Sequence, residues 1–237
     1  MLLHDPAVTE MLTRRAAYES LLQLAGKHIL ELGCGNAELT REIATRTPRV
    51  QVTALEVDRI QHEKNRNIHD LPNVIFAYGG AEAIPAPDAV FDVVLMFHSL
   101  HHVPAAQLDR ALREIHRVLK PCGLAYFEEP VFAGEYCEMT RIFHDEQAVR
   151  ESAFLALQQA ADSGVFEMVV EKFFLTPRHF NDWGHFERTI RGKTHTEHHL
   201  SEAQWDAVRS RFEKSMTAGG ATFLQPIRVD LMRRPPS

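Results

Sequence analysis

An acidic residue and two glycines at the end of a short apolar run are the first residues of the chain that could bind a ligand. Residues 29–39 read Ile-Leu-Glu-Leu-Gly-Cys-Gly-Asn-Ala-Glu-Leu. A strand, a Gly-rich turn and a helix in this order form a nucleotide-type pocket, because glycine lets the backbone approach a ligand closely. A dinucleotide turn has a third glycine where Glu38 stands, and the Glu38 carboxylate would repel a pyrophosphate at a helix N-terminus. The turn therefore favours a ligand that lacks phosphate and offers a cationic group to Glu31.

Four further segments follow this turn, at residues 52–58, 79–88, 91–104 and 112–123. With the turn they resemble, in order, five motifs of the class I S-adenosylmethionine-dependent methyltransferases. The resemblance covers residues 27–130. It implies an α/β, Rossmann-like fold: a seven-stranded, mostly parallel sheet with an antiparallel last strand and helices on both faces. S-adenosyl-L-methionine is the implied cofactor, and it carries an ammonium and a sulfonium but no phosphate.

The resemblance also implies which residues bind the cofactor. Glu31 would hold the methionine ammonium. An acid at the end of the second strand would accept hydrogen bonds from both ribose hydroxyls; the family register favours Glu56, and Asp58 would instead cap the next helix. The remaining cofactor-binding positions are Gly33, Cys34, Gly35, Val57, Gly80, Ala81, Glu82, Phe97 and His98.

Three positions depart from the family pattern. Ala37 replaces the usual third glycine of the turn, and Cys122 replaces a glycine in a later turn. Gly80 stands where an acid often contacts the adenine amino group. Adenine recognition would therefore rest on backbone groups and packing at Gly80.

Candidate catalytic residues follow the fourth and fifth strands. His101 and His102 come just after the fourth strand, and Glu129 lies at the tip of the fifth. A neutral imidazole is a good base for a hydroxyl or amine acceptor at neutral pH. We predict that one histidine, with Glu129, lines the methyl-transfer site, although this chemistry does not require a base.

Histidines are numerous, and one group of them suggests a metal. Residues 195–199 read His-Thr-Glu-His-His, but no matching acidic or cysteine cluster accompanies them. A lid or surface role is the more favoured interpretation, and we expect no metal site.

Composition limits the partners. The chain has 237 residues, is 45% hydrophobic and 24% charged, and carries a formal net charge of −6. This balance is typical of a globular protein and disfavours nucleic acid and membrane surfaces. The three cysteines (Cys34, Cys122 and Cys137) have no metal-ligand spacing. We expect a cytoplasmic monomer or homodimer that acts on a small molecule.

The pattern along the chain predicts one domain over residues 1–237. It comprises a helical segment (1–26), a cofactor-binding core (27–130), an acceptor-site and lid region (131–200), and a C-terminal helix with the last strand (201–237). Within the lid region we predict one helix or a broken pair at 138–162, a strand at 166–175 that Pro177 closes, and a mobile lid at 178–200.

The predicted function is methyl transfer from S-adenosylmethionine to a small-molecule acceptor by in-line displacement. The sequence does not identify the acceptor or the atom that is methylated. Two alternatives stay open: a non-catalytic S-adenosylmethionine-binding protein and a nicotinamide-dependent reductase. Glu38 and the absence of a Tyr-x-x-x-Lys dyad disfavour the reductase.

Overall fold

The computed structural model describes residues 1–191 and 200–236. Within these ranges the strands are β1 (His28–Leu32), β2 (Gln51–Glu56), β3 (Val74–Tyr78), β4 (Phe91–Phe97), β5 (Leu119–Pro130), β6 (Glu167–Phe180), β7 (Met216–Thr217) and β8 (Gly220–Arg233). The helices are α1 (Arg14–Leu21), α2 (Glu38–Arg46), α3 (Arg59–Asn65), α4 (Leu108–Val118), α5 (Gly134–Thr140), α6 (Gln147–Asp162), α7 (Trp183–Arg191) and α8 (Glu202–Lys214). Two 3₁₀ turns, Leu100–His102 and Ala105–Gln107, lead from β4 into α4.

The strands form one sheet in the order β3-β2-β1-β4-β5-β8-β6, and the two-residue β7 adds to β8. β8 is antiparallel to both neighbours, and the pairs from β3 to β5 are parallel. The prediction of a Rossmann-like, mostly parallel sheet with an antiparallel last strand is confirmed. Residues at the carboxyl ends of β1, β2, β4 and β5 are thereby brought to one edge, where open α/β sheets bind ligands.

Side chains alternate between the two faces of the sheet along the central strands, and each face has its own apolar core. Leu30, Val94 and Phe127 pack on the side of α4 and α6. Ile29 and Leu95 pack on the opposite side with residues of α1 and α2. Because successive strand residues point to opposite faces, the same alternation assigns each polar residue at a strand end to one face or the other.

The helical N-terminal segment is shorter than predicted. Only Arg14–Leu21 is helical, and Thr13 caps it by accepting a hydrogen bond from the Ala16 N–H. Before it, the chain is extended along the sheet edge: the Leu12 N–H donates to the Leu175 carbonyl (3.2 Å), and the Leu175 N–H donates to the Glu10 carbonyl (2.8 Å). Pairing with β6 replaces helix formation over these residues.

The prediction that Pro177 closes the sixth strand is wrong, because β6 continues to Phe180. Leu175 turns its N–H and carbonyl outward to the N-terminal segment. Pro177, two residues later, faces the same outer side, so its missing N–H removes no hydrogen bond to β8.

The segment between β6 and β8 packs as a small aromatic core. Phe186 and Ile190 of α7 are buried with Phe180, Phe212 and Phe223. The predicted lid at 178–200 thus contains the end of β6 and all of α7, and its residues 192–199, which include His195–His199, lie outside the described residues. The helix predicted at 138–162 is a broken pair, α5 and α6.

Across residues 1–191 and 200–236, each helix is too short or too polar to cross a bilayer.

Candidate active site

The Gly-rich turn between β1 and α2 requires glycine at Gly33 for packing and leaves open space at Gly35. Both residues have positive φ, +73° and +52°. A Cβ on Gly33 would lie 2.7 Å from the Ser99 Cβ, whereas a Cβ on Gly35 would meet nothing within 4 Å. The turn therefore fits tightly against the end of β4 and exposes its backbone to a ligand at Gly35.

Two positions that lack the family's glycine keep a glycine-like backbone. Ala37 has a φ of +61° and Cys122 a φ of +62°. The left-handed conformation costs a residue with a Cβ roughly 1–2 kcal/mol. Both turns keep the family geometry and carry this strain.

Glu31 ends β1 as a buried carboxyl group, with 3% of its surface exposed. The Thr40 hydroxyl donates a 2.6 Å hydrogen bond to it from α2. Burial raises the pKa of Glu31 to about 7, and the Arg14 guanidinium opposes this shift. An ammonium group beside this carboxyl would offset the cost of ionising it, so its chemistry fits the methionine end of the cofactor.

Glu56 ends β2 and is tied to the turn. Its Oε2 accepts a 2.7 Å hydrogen bond from the Gly35 N–H, and its Oε1 accepts from the N–H groups of the next two residues. The Asp58 side chain accepts from the Ile60 N–H at 2.8 Å and caps α3, as predicted. Glu56 is thus the acid beside the turn, and Asp58 is committed to the helix.

Asn65 is a turn-positioning residue that the sequence analysis missed. Its Nδ2 donates a 2.7 Å hydrogen bond to the Gly35 carbonyl and lies 3.5 Å from the Cys34 sulfur. It is 1% exposed at the end of α3, a helix of mostly polar residues. An asparagine on the inward face of that helix was the available signal.

The loop after β3 brings the other predicted cofactor residues near the end of β2. Ala81 is buried, while Val57 is 56% exposed and offers an apolar side chain beside Glu56. The Glu82 carboxylate fills the space that a Cβ on Gly80 would take. Glycine at that position therefore admits the Glu82 side chain, which restores an acid to the loop.

His98 and Glu128 meet at the ends of β4 and β5. The His98 N–H donates to the Glu128 carbonyl at 2.7 Å, and the His98 Nε2 lies 3.4 Å from Glu128 Oε1. Arg14 Nε donates to the same carboxylate at 2.6 Å, and the Arg14 guanidinium lies over the Phe97 ring. Burial lowers the pKa of His98 below its usual value, so its imidazole is neutral at pH 7.

A cavity of about 230 Å³ opens beside His98, and we call it the Arg14–Arg178 cavity. Its lining consists of Arg14, His98, Glu128, Thr176, Arg178, Gln225 and Ile227. The Arg178 Nε donates to the Gln225 side-chain carbonyl, and its guanidinium stacks on the Tyr136 ring. The sequence did not predict four of these residues, Arg14, Glu128, Arg178 and Gln225. Most of them lie on strands that are far apart in sequence and that only the fold brings together.

Glu129 faces away from this cavity. Adjacent residues of β5 point to opposite sides, so Glu128 faces α1 and Glu129 faces α4 and α6. The His101 Nδ1–H donates to Glu129 Oε2, and the Leu100 N–H donates to Glu129 Oε1 at 2.8 Å. The predicted His101–Glu129 contact therefore exists, as a buried pair beneath the 3₁₀ turn.

A second carboxylate faces the same histidine. Glu146, just before α6, has its Oε1 3.6 Å from the His101 Nε2 and 2.7 Å from the His144 Nε2. Burial would lower the pKa of His101, but the two carboxylates outweigh it and raise that pKa to about 9. The exposed His102 ring lies 4.1 Å from the His101 ring.

Comparison with known proteins identifies this arrangement. Residues 29–123 match the model of a methyltransferase domain family. Over these residues the chain is similar to methyltransferases, as its sequence motifs indicated. Residues 29–123 include Glu31, Gly33, Gly35, Glu56 and His98, at the carboxyl ends of three parallel strands.

Curated methyltransferases are similar to this chain over part of their length. The 27-O-demethylrifamycin SV methyltransferase of Amycolatopsis mediterranei is 39% identical over 127 residues, which cover 50% of this chain and 43% of the relative. A ubiquinone/menaquinone biosynthesis C-methyltransferase of Pasteurella multocida is 32% identical over 114 residues, covering 45% and 42%. The chain thus spans less than half the length of these relatives.

The fold agrees with a solved structure over almost the whole chain. The YcgJ protein of Bacillus subtilis superposes with a TM-score of 0.67 and 15% identity, covering 94% of this chain and 98% of that one. At this identity the likeness shows the fold alone.

Proposed function

We propose that this methyltransferase transfers the methyl group of S-adenosylmethionine to a small-molecule acceptor bound in the Arg14–Arg178 cavity. The observation that carries the proposal is that two carboxyl groups point to the same face of the sheet. Glu31 and Glu128 both point to the α1 side of the sheet, and Arg14 acts on the pKa of each. The cofactor's methionine end and the cavity would therefore be neighbours.

Each side of this site has a distinct task. Glu31 would bind the ammonium group of the cofactor, and Glu56 would bind its ribose. The backbone of the Gly33–Gly35 turn would lie against the cofactor between them. The sulfonium supplies the methyl group, and the protein contributes alignment and exclusion of water. His98 is neutral at pH 7 and lines the cavity, so it is the histidine that we propose as base for an acceptor hydroxyl or amine.

The predicted catalytic role of His101, His102 and Glu129 stays a prediction. With a pKa near 9, His101 is an imidazolium at pH 7 and cannot accept a proton there. Any effect of His101 on methyl transfer would be indirect, through Glu129 and the 3₁₀ turn. This turn starts directly after His98 and Ser99.

The cavity favours a small acceptor that carries an anionic or strongly polar group. Two arginines line it against one carboxylate, Glu128. A larger surface groove of about 360 Å³ is lined by residues of α4 and α6 rather than by strand ends, and we assign it no role. The relatives named for rifamycin and for quinone biosynthesis suggest phenolic and hydroxyl-bearing acceptors for a first panel.

We further propose that the protein acts in the cytoplasm, as a monomer or homodimer, without nucleic-acid or membrane partners. Its net charge of −6 supports the exclusion of nucleic acid.

A two-stage experiment tests the proposal. Thermal unfolding with S-adenosylhomocysteine, NADH and NADPH should show stabilisation by S-adenosylhomocysteine only, by about 2.7 kcal/mol at 100 times its dissociation constant. Transfer of labelled methyl from S-adenosylmethionine to the acceptor panel should then be lowered in His98→Asn while cofactor affinity changes less than about threefold. For a general base the loss is about 10²–10⁴-fold.

The control is His28→Asn. His28 begins β1 and therefore lies at the end of the strand opposite the Gly-rich turn. Stabilisation by NADH instead would support the reductase. Cofactor binding without transfer to any acceptor would support the non-catalytic alternative.

A further inference from the structure

Three side chains on the α4 and α6 side of the sheet bring ligand atoms together. One atom each of His101, His102 and Glu146 lies within 4.8 Å of the other two. The histidines come from the 3₁₀ turn after β4, and Glu146 is the residue just before α6. Two imidazoles and one carboxylate form a ligand set that zinc sites use, with a fourth position for water or a substrate atom.

The pairing of His101 fixes which nitrogen is available. A carboxylate only accepts hydrogen bonds, so the Nδ1 of His101 must carry the hydrogen that Glu129 accepts. Nε2 is therefore the nitrogen that would exchange its proton for a metal, and it faces Glu146. Metal-binding histidines typically donate their other N–H to a carboxylate in this way, which orients the ring and raises its basicity.

The spacing between His101 and Glu146 matches a shared metal better than a hydrogen bond. Nε2 and Oε1 are 3.6 Å apart, a separation at which a direct hydrogen bond is not made. Two ligands about 2.0–2.1 Å from a tetrahedral zinc ion lie roughly 3.4 Å from each other. A cation between these atoms would satisfy both.

Other groups hold the Glu146 carboxylate in this orientation. Arg150 Nη2 donates to Glu146 Oε2 at 2.5 Å, and His144 Nε2 lies 2.7 Å from Oε1. Once His101 gives up its Nε2 proton to bind a metal, the cluster holds two carboxylates, Glu129 and Glu146, against one guanidinium. An added cation would then replace the charge of that proton.

We propose that His101, His102 and Glu146 bind a divalent transition-metal ion of the zinc type, with Glu129 as the positioning residue for His101. The sequence predicts no metal site, because the contiguous group His195–His199 has no matching acidic or cysteine cluster. His101 and His102 are adjacent in sequence, but Glu146 lies far from them along the chain and meets them only in the fold. The site does not depend on the proposed methyl transfer, since it faces the other side of β5.

Metal binding itself is the test. Chelator-treated protein should take up one equivalent of Zn²⁺ in competition with a chromogenic chelator, and Co²⁺ should give the visible absorption of a tetrahedral site. His102→Ala, at an exposed position, and Glu146→Gln should each remove this equivalent. Glu129→Gln should weaken it about 10–100-fold.

Two controls separate this site from other histidines. His179→Ala, at a position that contacts Thr222 in the sheet, should keep the affinity within twofold, as should the double replacement His198→Ala, His199→Ala. The proposal is overturned if wild-type protein takes up no saturable equivalent, or if His102→Ala and Glu146→Gln bind as the wild type does. Loss of binding in the double replacement would overturn it as well.

Discussion

The Gly35 N–H donates a 2.7 Å hydrogen bond to Glu56 Oε2, which joins the turn after β1 to the end of β2. We propose Glu56 as the acid that binds the cofactor ribose, whereas the Asp58 carboxylate caps α3. These two acids, two residues apart, thus have separable roles.

Replacement of Glu56 should weaken cofactor binding more than replacement of Asp58. We expect Glu56→Ala to cost about 1–3 kcal/mol of S-adenosylhomocysteine affinity, because it removes a charged hydrogen-bond acceptor. Asp58→Ala should lower the free energy of unfolding by about 1 kcal/mol through loss of the cap and change affinity less. Isothermal titration and urea denaturation measure the two effects, and a reversed order of affinities would transfer the ribose role to Asp58.

Cofactor binding should release a proton from Glu31. Its pKa of about 7 lies above the usual 4.5 because the group is buried. This raised pKa contributes stability that is complete below pH 4.5 and is lost as pH rises through 7. An ammonium beside the group favours the ionised form, so affinity should rise with pH through 7.

Titration calorimetry in buffers of different ionisation enthalpy measures this release, which should be roughly half a proton per site at pH 7. Glu31→Gln should bind more weakly and show no buffer dependence from this group. An enthalpy that is independent of buffer in the wild type would show that Glu31 is already ionised.

The helix α7 should behave as core. Phe186 is fully buried, with ring centroids 5.2 Å from both Phe180 and Phe212. We expect Phe186→Ala to lower the free energy of unfolding by about 3–5 kcal/mol. Leu155→Ala, at an exposed site on α6, should change it by less than about 0.5 kcal/mol.

Hydrogen exchange checks the same helix without a mutation. Amides of Trp183–Arg191 should be protected in the cofactor-free protein, because the helix packs into an aromatic core. Rapid exchange that slows only when cofactor and acceptor bind would instead support the mobile lid predicted from the sequence.

Cys122→Gly should stabilise the protein. Cys122 is exposed and has a φ of +62°, so glycine relieves strain without leaving a cavity. The gain should be about 0.5–1 kcal/mol, since the added flexibility of the unfolded chain offsets part of it. Cys122→Ala removes the thiol but keeps the strain, and it should be nearly neutral. Equal unfolding free energies for the glycine and alanine variants would contradict the explanation.

The elements that we propose to bind the cofactor were predictable because their signals are local. An apolar run that ends in Glu31 and a Gly-rich turn fit only a strand, a tight turn and a helix. The apolar runs predict strands at residues 28–32, 74–78 and 91–97, and β1, β3 and β4 have these bounds. The cap at Asp58 was also predictable, since it depends on residues within one helical turn.

The cavity was not predictable, because its residues meet through pairings between distant segments. Arg14 reaches Glu128 only because the N-terminal segment pairs with β6, and Arg178 reaches Gln225 only through the register of β6 with β8. Neither pairing leaves a pattern in a single sequence. For the same reason Pro177 was assigned as a strand end, since its outward orientation depends on that register.

The pairing of residues 10–12 with Leu175 has a further consequence for stability under stress. β6 is the last strand of the sheet, and an uncovered edge strand is a template for intermolecular association. The N-terminal segment covers this edge through a few hydrogen bonds and the exposed Lys172–Glu10 ion pair. It would therefore detach at a free energy far below that of global unfolding. Detachment would free the edge for aggregation and would also carry Arg14 away from Glu128, so protein that has begun to aggregate through this edge would already have lost one wall of its cavity.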